Sequence, residues 1–463
     1  MRRLPRFLAP LLPALLALAP GMGAAPRVDR VPACLVYPAF WHTPLGIHRG
    51  TPQLLSLLLG DQAAFDDPQG ATCARMSEFG DSGPQITAFG VDRGSGQIIY
   101  NPDMRSLDVF GERGHGVGQF QDPRGVACLA DGSVAVADTG NNRVVFLHFK
   151  GGRLAWDHTL GGYGDGPGQF AGPEGVALDS QGRLYVADTG NNRVQVFDAQ
   201  GRFTLAFGGD PNANNAVSGP WAVAVVDAQE PYSIRPQEAL FVVDAKGARL
   251  QKFGLDGRFL GQAIASDLGV EAVGFDSLAL DYFNNVWVTD RLLDQVHKFD
   301  FHLRWLANWG HPGQGDGSLD EPRGICIYRR LGQVVVLERE SAQYLWIGAD
   351  VADVRLSHKE DVARGSSLRI DYRLSERAWV DAWVEDPEKN HLATLLKHRY
   401  LKQGPQTLLW TGDLDSGFRI RPGNYFLVFQ AEASYSSATY VKRETRKNFL
   451  VPDFSADQEA HKK

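Results

Sequence analysis

Two sets of residues in this chain have the types and spacing that chemistry requires. The first is Asp138-Thr139-Gly140-Asn141-Asn142-Arg143-Val144, which returns letter for letter at Asp188–Val194. Clustered Asp and Asn oxygens of this kind ligate calcium. The second is one residue from each of six repeats: Gln69, Arg124, Glu174, Trp221, Asp276 and Arg323. An amide, two guanidiniums, two carboxylates and an indole converging on a concave surface suit a polar ligand such as a sugar or a peptide.

Each set has a plainer reading. In the duplicated loop, Gly140 and Asn141 are expected to take the unusual backbone angles of a tight turn. Asp138 would bond nearby N–H groups and Arg143 would tie neighbouring repeats together. Residues that recur repeat after repeat fit a scaffold better than a calcium site. Catalytic zinc takes three protein ligands and an open fourth place, and neither His297 nor His115 and His311 fall into such a spacing. No cofactor is therefore expected: the ligand spacing supports neither calcium nor zinc, and leaves open whether a metal sits in the central channel. Asp413-Leu414-Asp415-Ser416-Gly417 lacks the rest of a calcium loop and reads as a hairpin turn. Gly-x-Ser-x-Gly, phosphate-loop and Cys-His nucleophile patterns are missing. The six varied residues have their own plain reading, in which the charges pair across the mouth and hold nothing.

The duplication also says what must position these residues, because self-similarity at a fixed period marks a repeat architecture. The Asp that opens the loop recurs at Asp92, Asp138, Asp188, Asp244 and Asp290, with Glu338 in sixth place; the steps are 46, 50, 56, 46 and 48 residues. An upstream corner gives the same count at Pro68, Pro123, Pro173, Pro220, Phe275 and Pro322. The third unit reads as four short strands over 175–179, 183–188, 193–198 and 202–208, punctuated by Gly, Asp and Asn. Four-stranded units of this length predict an all-β fold, a six-bladed β-propeller. The sixth unit supplies only three strands before the pattern changes, and Leu54–Gly60 is expected to be the strand that completes it and locks the ring.

Gly-x-Gly-Gln-Phe-x-x-Pro-x-Gly-Val-Ala, followed by Tyr-Val-Ala-Asp-Thr-Gly-Asn-Asn-Arg-Val-Gln-Val-Phe, resembles NHL-repeat six-bladed propellers over roughly residues 52–349. Residues 285–299 are similar to a segment of the peptidyl-hydroxyglycine amidating lyases, propellers that bind zinc through histidines. The position of one family histidine is Asp294 here, and Asp320-Glu321-Pro322-Arg323 offers no counterpart to another.

From residue 350 to 452 the pattern differs. Ser367–Leu374 and Ala378–Val384 alternate as half-buried strands do, with Trp379 and Trp383 expected in the core. The segment resembles the Ig-like domain of flagellar hook-capping proteins, a β-sandwich of about 100 residues. Its usual Trp-Asp-Gly-x-Asp reads Trp410-Thr411-Gly412-Asp413-Leu414. The tail over 453–463 is polar and expected to be loose.

Arg2, Arg3 and Arg6, the apolar run from Phe7 to Ala19 and the small residues Gly21–Ala25 make residues 1–25 a signal peptide, followed by an extension over 26–51. The run is too short to span a bilayer, so the mature protein is expected in the periplasm or outside the cell. Four cysteines fit an oxidising compartment without defining a disulfide framework. Cys73 and Cys128 are equivalent and should not face each other, Cys34 has several candidate partners, and Cys128 and Cys326 read as small buried residues.

Charge narrows the partners. Residues 52–349 carry 23 Lys and Arg against 36 Asp and Glu, a net of −13, and only four of the basic residues are lysines. Nucleic-acid binding needs clustered cations on one face, so it is excluded as the expected role. The sequence points to an exported, non-catalytic binding or scaffold protein taking a protein, peptide or glycan at the face that carries the six varied residues. The alternative is a metal-dependent propeller enzyme of the amidating-lyase or lactonase type.

Overall fold

The structure, a computed structural model, describes residues 35–38, 48–60, 65–79, 86–102, 106–244, 247–358, 367–435 and 442–451. Residues 1–25, expected to be a signal peptide, Cys34 and the expected tail over 453–463 lie outside these residues.

Six antiparallel sheets follow one another along the chain. Sheet 2, for example, consists of Pro123–Cys128, Ser133–Asp138, Arg143–Lys150 and Arg153–Gly161. Sheet 3 consists of Pro173–Leu178, Leu184–Asp188, Arg193–Phe197 and Phe203–Gly208. Sheets 1, 4, 5 and 6 begin with Pro68–Ala74, Ala222–Val226, Phe275–Leu280 and Gly324–Tyr328. Alternate residues of each second strand face opposite neighbours, as the two-residue period of a strand requires. Val134 and Val136 pack with Phe89 and Val91 of sheet 1, while Ala135 and Ala137 pack with Val176 and Val186 of sheet 3. Each such buried Val, Leu or Phe contributes about 1.5–3 kcal/mol.

The first strands touch neighbour to neighbour, and that of sheet 6 touches that of sheet 1. Glycine makes this approach feasible. A Cβ on Gly70, Gly125 or Gly324 would collide with the carbonyl oxygen of Arg124, Glu174 or Gln69 on the adjoining strand.

The duplicated loop is scaffold down to its individual atoms. Asp138 accepts from the Gln121 N–H at 2.7 Å and from Arg143 Nε at 2.7 Å. Arg143 also donates to the carbonyls of His115, Gly116 and Gln119 in the connection from sheet 1. The left-handed residues are Asn142 and Asn192, at φ 54° and 52°, not the expected Gly140 and Asn141. Gly140 is required for space instead, because a Cβ there would meet Gln121.

The expected strand Leu54–Gly60 is an α-helix, Pro52–Leu59. Thr51 caps it by accepting from the Leu54 N–H, proline occupies the first turn, and leucines, which carry no branch at Cβ, favour helix. The outer edge of sheet 6 is filled by Leu35–Val36, paired with Ile347 and Trp346, and by Arg49–Gly50, paired with Gln343 and Ala342. Arg49 reaches Glu338 at 2.9 Å. It thus supplies from the N-terminal segment the guanidinium that Arg143 supplies within sheet 2.

Beyond Ala349, a three-stranded sheet (Val351–His358, Leu368–Leu374, Gly404–Trp410) packs on a four-stranded one (His391–Leu401, Ala378–Glu385, Gly423–Ala433, Lys442–Val451). Ile370 and Tyr372 meet Val380, Ala382 and Phe429 in a core that continues into sheets 5 and 6. Trp379 and Trp383 are not in that core. They alternate with buried Ala378, Val380, Ala382 and Val384, so the strand turns them outward, where Trp379 stacks on His398 at 4.7 Å.

Candidate functional site

Gln69, Arg124, Glu174, Trp221, Asp276 and Arg323 all line one cavity of about 70 Å³ between the six inner strands. Each stands at the start of its first strand or immediately before it, so the repeat register brings them together.

The charges pair round the rim, both within sheets and between adjacent ones. Arg124 donates to Glu174 at 3.1 Å, joining sheets 2 and 3. Arg291 of sheet 5 lies 3.4 Å from Asp276 and 4.9 Å above the Trp221 ring of sheet 4. Arg323 pairs with Asp67, joining sheets 6 and 1, and with Glu321 at 3.1 Å. Gln69 donates to Asp67 at 2.8 Å.

Three polar atoms are left over. Trp221 Nε1, Arg323 Nε and Asp276 Oδ2 are all buried without a hydrogen-bond partner; the Arg291 contact with Asp276 is an ion pair without hydrogen-bond geometry. Burial pushes Asp276 up to about 6, against the opposing pull of Arg291 and Arg124. Burial also raises Glu174 despite Arg124, Arg93 and Arg291. The site thus presents two unsatisfied donors and one unsatisfied acceptor in a cleft large enough for the tip of a side chain or a sugar substituent, and well below the 300–1,000 Å³ of a small-molecule pocket.

Sequence reasoning missed the second tier of this site. Asp67, Asp122 and Glu321 precede three of the corner prolines, where the other repeats have Gly172, Gly219 and Gly274. All three acids sit at positive φ, 71°, 49° and 47°, a conformation that favours glycine. Their carboxylates meet Arg93, Arg113, Arg323 and Arg339. The signal was available one position from residues already counted, since Arg93, Arg291 and Arg339 follow the loop-opening acids.

The other candidates are absorbed by the scaffold. Asp294 accepts the Glu321 N–H at 2.7 Å, as Asn142 and Asn192 accept those of Gly172 and Gly219. His297 lies 3.2 Å from Asp290, where Gln195 donates to Asp188 in sheet 3. Asp415 accepts from Thr394 and stays in its turn. Among the described residues no group of three or more His, Cys, Asp or Glu is arranged to hold a metal ion. Cys73, Cys128 and Cys326 are free. Cys73 contacts Cys326 across sheets 1 and 6, and Cys128 Sγ lies 3.4 Å from Thr72 Oγ1.

The opposite ends of the inner strands of sheets 5 and 6 are covered by the loop after Val226. Its Ile234 N–H donates to the Tyr282 carbonyl at 2.9 Å, Tyr232 meets the Tyr328 ring at 5.8 Å, and Glu230 lies 3.4 Å from Arg329. This loop accounts for part of the long 56-residue step between Asp188 and Asp244. No helix among the described residues is long and apolar enough to cross a membrane.

No curated protein matches the chain. Among solved structures it is similar to virginiamycin B lyase from Staphylococcus aureus, at 13% identity and a TM-score of 0.40 over 59% of this chain and 79% of that one. A gluconolactonase from Xanthomonas campestris gives 15% identity and a TM-score of 0.43 over 68% and 99%. PorZ, a surface component of the Porphyromonas gingivalis type-IX secretion system, gives 12% and 0.37 over 79% and 58%. The segments 120–145 and 170–197, which hold the duplicated loop, match the NHL repeat, so sheets 2 and 3 each contain an NHL repeat.

Proposed function

We propose that the six sheets are the blades of a closed β-propeller, that the two C-terminal sheets form an Ig-like sandwich, and that the protein is an exported, non-catalytic binder. In this reading the mouth formed by Gln69, Arg124, Glu174, Trp221, Asp276 and Arg323 receives a protruding polar group of a protein, peptide or glycan. The observation that carries it is the set of buried, unpartnered atoms Trp221 Nε1, Arg323 Nε and Asp276 Oδ2 among the residues lining one cavity. A buried polar group left unpaired costs about 1–3 kcal/mol, and a ligand offering both a donor and an acceptor relieves two such costs at once. The contact circle of inner strands supports the closed propeller, and the shared core of the last two sheets supports the sandwich. Export rests on the N-terminal sequence.

The test screens wild-type protein and the triple variant W221A/R124A/R323A, with folding checked by circular dichroism, against one printed glycan array and one immobilised peptide library. Ligands retained by the wild type and lost by the variant are expected. Equal retention by both, or no ligand for the wild type, overturns the reading.

A further inference from the structure

A second cavity, of about 420 Å³, lies between sheets 6 and 1 under the helix Pro52–Leu59. Register explains why it exists. On the second strand of the other five sheets, the position paired like Ala88 holds Val134, Leu184, Leu240, Val286 or Val334. The position paired like Gly90 holds Val136, Val186, Val242, Val288 or Val336. All ten are buried and fill the space towards a neighbouring sheet. In sheet 1 alone both are cut back, on the same face and at neighbouring levels.

The third strand departs at the same place. Asn101 pairs with Ala88, where the other sheets pair Leu147, Phe197, Phe253, Phe299 and Leu345. A polar side chain has replaced five large apolar ones, and its Oδ1 is buried with no hydrogen-bond partner. Leu55 and Leu58 of the helix and Val335 and Leu337 of sheet 6 complete the apolar wall. Natural interiors are packed to near-crystalline density, so a void assembled from three coordinated departures, with a buried and unpartnered polar atom on its wall, has the makeup of a ligand pocket.

We propose that this cavity, independently of the mouth, binds a neutral, mainly hydrocarbon small molecule whose hydroxyl or amide N–H donates to Asn101 Oδ1. Neutrality follows from the described wall. Among the described residues it includes Asp92 and no Lys or Arg; Asp92 is already engaged by Ser95 and the Asp66 N–H, and the lining His48 by Asp316 at 3.2 Å. An anionic head group would meet no lysine or arginine among these residues.

The experiment titrates the full-length protein with the fluorescent probe N-phenyl-1-naphthylamine and competes it with 1-decanol, decanoate and decyl methyl ether at pH 8. Saturable one-to-one binding is expected, with 1-decanol competing at least tenfold better than decanoate or the ether. A88V/G90V, which places the residue types of the other sheets there, should lose binding at least tenfold while staying folded by circular dichroism, with Leu337 yielding to the new Cβ at position 90. N101A, which keeps the space, should bind the alcohol and the ether equally. Absent or non-saturable binding to the wild type, or undiminished binding to folded A88V/G90V, overturns the proposal. If N101A keeps the preference for the alcohol, the role assigned to Asn101 is wrong.

Discussion

Lys298 of sheet 5 donates its ammonium to Glu376 of the C-terminal sheets, and both side chains are only 1% exposed. Asp281 stands 3.8 Å from the same nitrogen, and the Trp287 ring 4.8 Å from it. The two units are thus joined through a desolvated ion pair. Around it, Tyr435 packs on Phe283 at 5.4 Å and Arg377 lies 4.6 Å over the same ring.

Removing one partner strands the other as a buried charge. Lys298→Ala is expected to destabilise the protein by about 3–5 kcal/mol, whereas Lys298→Met with Glu376→Leu should cost much less, because an apolar pair needs no compensation. Guanidinium denaturation of the two variants checks this. A double variant as unstable as the single one would contradict it.

Asp276 makes stability pH-dependent. Its folded-state value is raised to about 6 by burial, above the ordinary value of about 3.9. Its contribution is therefore fully present below about pH 3.9 and is lost as the pH rises through about 6. Asp276→Asn cannot titrate, so the Tm of wild type minus that of the variant should fall between about pH 4 and 6 and level off above. Thermal melts across that range measure it, and a flat difference would show that the group is not perturbed.

Glu321 holds a glycine-type backbone conformation while pairing with Arg323 and Arg339 at 3.1 and 3.3 Å. The left-handed region costs a non-glycine residue roughly 1–2 kcal/mol, and half-exposed ion pairs return about 0–1 kcal/mol that salt screens. Glu321→Gly should therefore melt near the wild type at low salt and above it in 1 M NaCl. A variant that melts lower in high salt would mean that the arginine lattice outweighs the backbone.

The thiols should be inert. The hydrogen bond to Cys326 and burial hold the Cys73 thiol well above its usual range, and burial pushes Cys128 up to about 12. Because the thiolate is the nucleophile, peptide mapping after iodoacetamide at pH 8 should find Cys73 and Cys128 unmodified in the native protein and alkylated in guanidinium. Rapid native labelling of either would place it outside the packed interior.

Much of the candidate site was legible before any coordinates. A repeat carries its register with it, so counting from Asp138 and Asp188 was enough to collect six residues from six distant segments into one cavity. The same ruler passed over Asp67, Asp122 and Glu321, because a left-handed acid does not look different from an ordinary turn residue in the chain. Leu54–Gly60 misled for a related reason. A leucine run bounded by Thr51 and Gly60 fits helix or strand equally well until it is known whether an open sheet edge lies beside it.

Local pattern, then, determined the number of repeats, the strand alternation and which residues share a level, since all three follow from periods of two and of about fifty residues. Tertiary structure decided what each residue meets. Arg291 rather than Arg124 holds Asp276, the N-terminal segment 35–50 rather than Leu54–Gly60 completes sheet 6, and Trp379 turns outward because its neighbours Ala378 and Val380 claim the core. The cavity beside Asn101 is the clearest case. Ala88, Gly90 and Asn101 are unremarkable in sequence, and become a void only when their facing strands arrive with nothing to fill the space between them.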